Sequence, residues 1–269
     1  MKTRIAVLLV LVLTCVCALS FAEGTLRVGM ECNYAPFNWT QAEPSDTAVA
    51  IEGGMGYADG YDVQIARKIA ESLNRELVIV KCEWDGLTMG VMTGSFDMII
   101  AGMSPTAERK LTIDFSDNYY TSRLVVVVRA DSLYADAASL VDLSGAAVTG
   151  QLNTFHYSVI DQIPGVNKLM AMNSFPELIV ALKSGVIDGY IAEEPGAVSD
   201  CFANPEFTYI RFDDGQGFTA SDDDVSIAVG MAQGSELLEP VNEVLAGIDE
   251  ETRLQMMLDA TARQPLMSE

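Results

Sequence analysis

The segment Ser104-Pro-Thr-Ala-Glu-Arg109 combines residue types that suit the binding of a carboxylate. It follows an apolar run that ends in small residues, Ala101 and Gly102, which leave backbone groups accessible to a ligand. Ser104 adds a hydroxyl group, and Arg109 offers a planar, permanently charged fork that can pair with both oxygens of a carboxylate. A hydroxyl residue followed closely by Glu is also typical of a capped helix start, and a helix N-terminus attracts anions. Taken alone, the segment predicts a helix that begins here, with either a structural cap or an anion site.

The elements that must position this segment alternate between strands and helices. Apolar and β-branched runs predict strands, and apolar residues three or four apart predict helices. The strands fall at 25–30, 76–82, 96–101, 123–130, 146–149, 168–172, 189–192 and 225–231, and the helices at 62–73, 87–93, 154–161, 175–184, 236–248 and 250–262. Residues 41–59, rich in Gly, Ala and polar residues, are predicted as a surface loop. Such alternation predicts parallel sheets with right-handed crossovers.

Ligands of open α/β sheets lie beyond the carboxyl ends of the strands, so the residues after each strand are candidates for a site. The five segments that follow strands are Glu31–Trp39, Glu83–Leu87, Ala101–Arg109, Gly150–Phe155 and Glu193–Pro195. Together they hold an arginine for a carboxylate, acids for an ammonium group and several aromatic rings. This set predicts a receptor for a zwitterion.

Two extended runs, Arg123–Ala130 and Val225–Met231, divide the chain. We expect a large lobe at 23–122, a small lobe at 123–224, and a return of residues 225–269 to the large lobe. Two connections between lobes would permit hinge closure around a ligand.

Residues 1–22 have the features of a secretion signal. Lys2 and Arg4 form a basic start, Ile5–Leu13 is apolar, and Ser20-Phe21-Ala22 fits a cleavage site. We therefore expect an exported protein in the periplasm or outside the cell. A lipoprotein anchored through Cys15 or Cys17 is the alternative.

The composition excludes several classes of partner and cofactor. A formal net charge of −22 argues against binding of nucleic acid or anionic membrane. With a single histidine and no CxxC motif, we expect no metal and no cofactor. Cleavage leaves Cys32, Cys82 and Cys201, so at least one thiol is unpaired, and a Cys32–Cys82 disulfide stays open.

The motifs in this order resemble the amino-acid-binding (family 3) solute-binding proteins of ABC importers, which include lysine/arginine/ornithine-, histidine- and glutamine-binding proteins. The resemblance rests on Tyr34–Phe37, Gly60–Asp62, Trp84–Leu87, Ser104–Arg109, Asp114–Asp117 and Asp188–Glu193. It implies an α/β, type II periplasmic-binding-protein fold with two lobes joined by a two-strand hinge. It also implies a monomeric, non-enzymatic receptor that delivers an L-amino acid to an ABC permease.

The resemblance further implies roles for the residues that bind the main-chain groups of the ligand. Arg109 would pair with the α-carboxylate, and Glu193, where the family more often has Asp, would accept the α-ammonium group. Ala101, Gly102 and Ser104 would contribute backbone or hydroxyl groups.

A turn in the second half of the chain departs from the family pattern. Asn153, Thr154 and Phe155 match a Gly-Thr-Thr-like turn that donates N–H groups to the carboxylate. Asn153 replaces a common Gly and Phe155 replaces a hydroxyl residue. One hydrogen bond to the carboxylate is therefore expected to be missing or to come from the backbone alone.

Four residues are candidates for contact with the ligand side chain. Tyr34 and Trp84 match aromatic positions that flank it, with core packing as the alternative for both. Glu31 matches an acid that meets a distal cation, and a solvated loop carboxylate is its alternative. Gln151 could offer an amide. This set favours lysine, arginine or ornithine, and glutamine or histidine is the alternative ligand.

Two further residues receive structural interpretations. Asp62 is predicted to cap the following helix, and His156 to lie at the surface or rim. A competing hypothesis is an enzyme similar to cyclohexadienyl dehydratases on the same fold, with Glu193 or His156 as the acid. A second competing hypothesis is a sensory role, in which the liganded protein contacts a receptor rather than a permease.

Overall fold

The computed structural model describes residues 24–265, so the predicted signal peptide at 1–22 lies outside the described residues. The strands are Thr25–Met30, Asn33–Tyr34, Asn38–Gln41, Val49–Ala50, Tyr57–Asp59, Glu76–Lys81, Met98–Ile99, Ile113–Thr121, Leu124–Arg129, Ala147–Thr149, Asn167–Lys168, Gly189–Glu193, Phe207–Ile210 and Ser226–Ala232. The α-helices are Tyr61–Ser72, Trp84–Met92, Phe155–Ser158, Phe175–Lys183, Glu194–Ala203, Asp222–Val225, Leu238–Ala246 and Glu250–Arg263. Short 3₁₀ helices span Arg109–Leu111, Leu140–Leu143 and Val159–Gln162. Across residues 24–265, no helix combines the length and apolarity needed to span a bilayer.

The first of two five-stranded sheets combines strands from both ends of the described chain. Its strand order is Glu76–Lys81, Thr25–Met30, Met98–Ile99, Ser226–Ala232 and Ile113–Thr121. The first three strands are parallel, and Ser226–Ala232 is antiparallel to both of its neighbours. The parallel strands end at one edge, which brings the segments after residues 30, 81 and 99 together.

The second five-stranded sheet is formed by the middle of the chain. Its strand order is Asn167–Lys168, Ala147–Thr149, Gly189–Glu193, Leu124–Arg129 and Phe207–Ile210. Leu124–Arg129 pairs antiparallel with both of its neighbours, and its four central valines are buried. A continuous β-branched run is typical of such a strand, because the sheet is covered on both faces.

The chain passes between the two sheets twice. The first passage is at residues 122–123, and the second lies between Ile210 and Ser226. A backbone hydrogen bond of 2.8 Å from the Ser122 N–H to the Val225 carbonyl joins the two passages. Below, the large lobe means residues 24–121 and 226–265, and the small lobe means residues 124–210.

The structure contains several elements that the sequence did not predict, among them the helix Glu194–Ala203 and the strand Phe207–Ile210. A four-stranded antiparallel sheet, with strands at residues 33–34, 38–41, 57–59 and 49–50 in that order, occupies much of the expected loop at 41–59. The strand Ile113–Thr121 was not predicted either. It is an edge strand with a polar, half-exposed sequence, so it lacks the apolar alternation of a buried strand.

The helix Tyr61–Ser72 begins without a side-chain cap, so the prediction that Asp62 caps it is wrong. The N–H groups of Tyr61 and Asp62 donate instead to the carbonyls of Pro36 and Phe37, at 3.0 and 2.8 Å. The Asp62 carboxylate is fully buried and accepts hydrogen bonds of 2.8 Å from the Asn38 amide and the Tyr119 hydroxyl. Burial raises the pKa of Asp62 to about 6. The Asp62 carboxylate therefore links the start of this helix to Asn38 and Tyr119 in the core.

Candidate functional site

The carboxyl ends of the strands in the two lobes face a shared cavity. Eleven of the twelve predicted site residues line it, and Asn153 is the exception. Two lining residues were not predicted as site residues, His156 and Phe175. The complete lining is Glu31, Tyr34, Trp84, Ala101, Gly102, Ser104, Arg109, Gln151, Thr154, Phe155, His156, Phe175 and Glu193.

The segment after Met98–Ile99 turns without forming the predicted α-helix. Residues 101–106 are irregular, and only the 3₁₀ turn Arg109–Leu111 follows. Gly102 has a φ of 62°, and a Cβ there would lie 3.2 Å from the Tyr34 ring. Glycine is therefore favoured both by the backbone conformation and by the ring beside it. The predicted helix N-terminus at Ser104 is thus wrong, because the segment folds tightly around its small residues.

Arg109 lies at the cavity without a directly paired acid among the residues described, and Glu193 lies near enough to act on its charge. Nη1 donates to the Ser104 carbonyl at 2.9 Å, and Nη2 donates across the lobes to the Asn153 carbonyl at 3.1 Å. Its Cζ lies 5.0 Å from the centre of the Trp84 ring. Burial lowers the pKa of Arg109 to about 10, so the group stays charged at neutral pH. Among residues 24–265 no carboxylate forms an ion pair with it.

Asn153 acts at this site through its backbone. Its φ of 57° falls in the left-handed region that Asn tolerates better than most residues, which explains how it replaces a glycine. Its carbonyl accepts from Arg109 and, at 3.4 Å, from the Trp84 indole N–H. Its side-chain amide donates to the Asp85 carboxylate at 2.8 Å. Asn153 therefore links the small lobe to Arg109, Trp84 and Asp85 of the large lobe.

Trp84 contacts Arg109, and its predicted contact with a ligand side chain stays a prediction. It lines the cavity, and the group that lies over its ring is the guanidinium of Arg109. An arginine stacked on an aromatic face is held by cation–π attraction. Trp84 therefore orients Arg109.

Glu193 ends the strand Gly189–Glu193 and is 4% exposed. One of its oxygens, Oε2, lies 2.9 Å from His156 Nε2 and also accepts the hydroxyl of Tyr34. Burial acts to raise the pKa of Glu193, but the His156 charge and the hydrogen bonds from His156 and Tyr34 outweigh it. The pKa is therefore lowered overall. Glu193 is an ionised, buried carboxylate that already has two partners.

The predicted surface position of His156 is wrong. The residue is 8% exposed, lines the cavity and lies in the four-residue helix Phe155–Ser158. The edge of its ring meets Phe175 at a centroid distance of 5.8 Å. The residues next to His156 in the sequence do not indicate whether its side chain is buried in the cavity or exposed at the rim, so the sequence could not predict its position.

Tyr34 and Phe175 form a stack across the lobes. Their ring centroids are 4.3 Å apart with an interplanar angle of 23°, and Phe37 stacks on the other side of Tyr34. Phe175 is the first residue of the helix Phe175–Lys183. Because apolar residues at helix starts usually pack in the hydrophobic core, the sequence contains no indication that Phe175 lines the cavity.

Glu31 and Gln151 meet across the cavity from opposite lobes. The Gln151 amide donates to both Glu31 oxygens, at 3.1 and 3.3 Å, and to the Asn173 carbonyl at 3.0 Å. Glu31 is 3% exposed, so the alternative of a solvated loop carboxylate is wrong. Burial raises the pKa of Glu31 to about 7, against the opposing effect of the Gln151 hydrogen bond.

Within the described part of the chain, no group of three or more His, Cys, Asp or Glu side chains could hold a metal ion. Cys32, Cys82 and Cys201 are free thiols, so the Cys32–Cys82 disulfide left open by the sequence is not formed.

Comparisons with known proteins agree with this geometry. A probable histidine-binding protein of Campylobacter jejuni is 30% identical, over 84% of this chain and 79% of that protein. An amino acid ABC transporter substrate-binding protein of Streptococcus pneumoniae, solved with L-arginine, is 27% identical, with a TM-score of 0.77 over 89% of this chain and 95% of that one. An ancestral amino acid-binding protein, AncCDT-1, described as a precursor of cyclohexadienyl dehydratase, is 25% identical, with a TM-score of 0.71 over 88% and 95% of the two chains.

These likenesses confirm the predicted type II periplasmic-binding-protein fold. The family model for bacterial extracellular solute-binding proteins, family 3, matches residues 26–260, which is nearly all of the described chain. The chain belongs to the bacterial extracellular solute-binding proteins of family 3, the amino-acid-binding components of ABC transporters.

Proposed function

We propose that this protein binds an L-amino acid with a cationic side chain, such as arginine, lysine or ornithine, between its lobes. It then delivers the solute to an ABC permease. In this proposal residues 1–22 direct export, and the mature protein acts as a monomer. The large lobe comprises residues 23–122 and 225–269, and the small lobe comprises residues 123–224. The two lobes close on the ligand by a hinge movement at the two chain passages. The protein itself catalyses no reaction.

The observation that carries the proposal is the arrangement of charges around one cavity. Arg109, Glu193 and Glu31 all line it. A free amino acid offers a carboxylate to the first and an ammonium group to the second, while a cationic side chain would meet the third. Burial of each ligand charge then occurs together with pairing, which is the condition under which buried charges are tolerated.

The preference for a cationic side chain rests on Glu31. Its carboxylate is buried, its hydrogen bonds come from the neutral amides of Gln151 and Asn33, and it forms no ion pair within residues 24–265. Glu83 and Asp85 lie close enough to raise its pKa further. A bound guanidinium or ammonium group would relieve this repulsion, whereas a neutral amide would only replace that of Gln151. The solved relative with L-arginine bound supports this preference.

A dehydratase activity is the second candidate. The structural likeness to AncCDT-1 favours it, because that protein is described as a precursor of cyclohexadienyl dehydratase. Glu193 and His156 could serve as the acid there, since general acids act within hydrogen-bond reach of the leaving group. Incubation of the purified protein with prephenate or arogenate, followed by product analysis, tests this candidate.

A thermal-shift screen tests the proposed ligand class. The purified mature protein is heated with each proteinogenic amino acid, ornithine and citrulline, because a ligand of the folded state raises the melting temperature. We expect arginine, lysine or ornithine to give the largest shifts and citrulline, the neutral counterpart of arginine, a smaller one. Shifts confined to acidic amino acids would contradict the proposal, and shifts led by glutamine or histidine would support the alternative ligand.

A further inference from the structure

We infer that His156 substitutes for the ligand's α-ammonium group as the partner of Glu193. The cavity would therefore also accept carboxylate solutes that carry the cationic side chain but lack the α-amine. This inference rests on the proposed function and extends it from amino acids to their deaminated analogues.

The contact between His156 and Glu193 is the first observation. Nε2 lies 2.9 Å from Glu193 Oε2, and the side chains are 10% and 5% exposed. Both residues belong to the small lobe, so this pair does not depend on closure of the lobes. Tyr34, from the large lobe, adds its hydroxyl to the same oxygen. Glu193 therefore remains paired in the absence of a ligand.

The second observation is the other ring nitrogen. Nδ1 of His156 is buried and has no hydrogen-bond partner among residues 24–265. A histidine held in place for structural reasons usually satisfies both nitrogens, since an unpaired buried polar atom is unfavourable. The polar contact that the structure gives the ring is the one to Glu193. The charged and titratable groups around the cavity are otherwise Tyr34, Arg109 and Glu31.

The charges explain why a deaminated solute would be tolerated. Without an ammonium group, His156, which can carry a positive charge, and the Tyr34 hydroxyl still contact Glu193, so its carboxylate is not left unpaired. A lone buried acid would instead be left unpaired by a deaminated solute, and sites of that kind reject such analogues by about 10⁴-fold or more.

The first test compares L-arginine with 5-guanidinopentanoate, which lacks only the α-amine, by titration calorimetry on the full mature protein. We expect the wild type to prefer arginine by no more than about 100-fold. In His156→Gln, which keeps a donor but cannot carry charge, we expect this preference to rise about tenfold or more. Glu31→Gln is the matched control, because it weakens both ligands alike and leaves their ratio unchanged.

A second measurement needs no variant and so does not depend on the folding of His156→Gln. It is the ratio of the wild-type affinities for L-arginine and 5-guanidinopentanoate, measured at one pH. A preference for arginine of about 10⁴-fold or more, or a ratio that His156→Gln leaves unchanged, would overturn the inference while arginine still binds. Failure of both ligands to bind would instead contradict the proposed function.

Discussion

The two ends of the cavity satisfy their charged residues in different ways. Arg109 donates to the backbone carbonyls of Ser104 and Asn153, which are neutral, so its positive charge has no directly bound anionic partner in the described residues. Glu193 contacts His156, which can carry a positive charge, and the hydroxyl of Tyr34. From this comparison we expect the carboxylate of a bound amino acid to contribute more to affinity than its ammonium group.

The largest effect is expected at the carboxylate end. Arg109→Ala removes the buried cation and leaves the ligand carboxylate unpaired, which costs about 3–5 kcal/mol. We expect titration calorimetry to show a loss of affinity for L-arginine of more than about a hundredfold. Lys110→Ala is the matched control, because it removes the same charge from a neighbouring exposed pair with Asp223. Retention of near-normal affinity in Arg109→Ala would contradict the assignment of Arg109.

A smaller effect is expected at the ammonium end. In Glu193→Gln the ligand ammonium meets a neutral amide, while His156 and Tyr34 still fill the site. We expect a loss of affinity of about 10- to 100-fold in the same calorimetric assay, corresponding to about 1.4–2.7 kcal/mol. Glu194→Gln, next in sequence and paired with Arg211 outside the cavity, is the control. A loss larger than that of Arg109→Ala would reverse the comparison of the two ends.

Glu31 adds a pH dependence to the binding of a cationic side chain. Its pKa is raised to about 7 in the ligand-free protein, and a cation bound beside it would lower that value. Affinity for arginine is therefore expected to be full above pH 7 and to fall through the Glu31 contribution by up to about tenfold per unit below it. This contribution should be absent for citrulline and in Glu31→Gln. Identical pH profiles for arginine and citrulline would show that no ligand cation meets Glu31.

Trp84 gives the smallest expected effect and sharpens the comparison at the carboxylate end. Its ring lies against Arg109, so Trp84→Leu removes a cation–π contact of about 0.5–1 kcal/mol. We expect affinity to fall about two- to fivefold for arginine and citrulline alike. A loss confined to arginine would place the ring against the ligand side chain, as the sequence predicted.

Local patterns predicted the elements whose residues carry strong apolar periodicity. The strand Thr25–Met30 is confirmed as predicted, and the helix at 62–73 is confirmed with a shift of one residue. The edge strand Ile113–Thr121 escaped prediction because it is fixed by pairing with Ser226–Ala232, more than a hundred residues later. The small sheet between residues 33 and 59 likewise depends on pairing that Gly-rich and acidic sequence does not indicate.

The candidate site shows the same division between local and distant information. The sequence predicts the strands, and it therefore also predicts which residues follow them at the edge of a sheet. Arg109, Glu193 and Glu31 line the cavity for this reason. The orientation of His156 and the partner of Trp84 depend on which side chains meet once the lobes are packed together. Those contacts join residues more than 20 positions apart, and no local pattern encodes them. The roles of the lining residues stay predictions until ligand binding is measured.

The carbonyl of Asn153 has a consequence for how this protein can change over evolutionary time. The acceptor for Arg109 and Trp84 belongs to the main chain, so no side-chain substitution at that position can delete it. Exchange for glycine would keep the left-handed turn and the carbonyl, and would remove only the amide that reaches Asp85. Substitutions at position 153 can therefore change the side-chain contact between the lobes, to Asp85, without removing the backbone acceptor of Arg109.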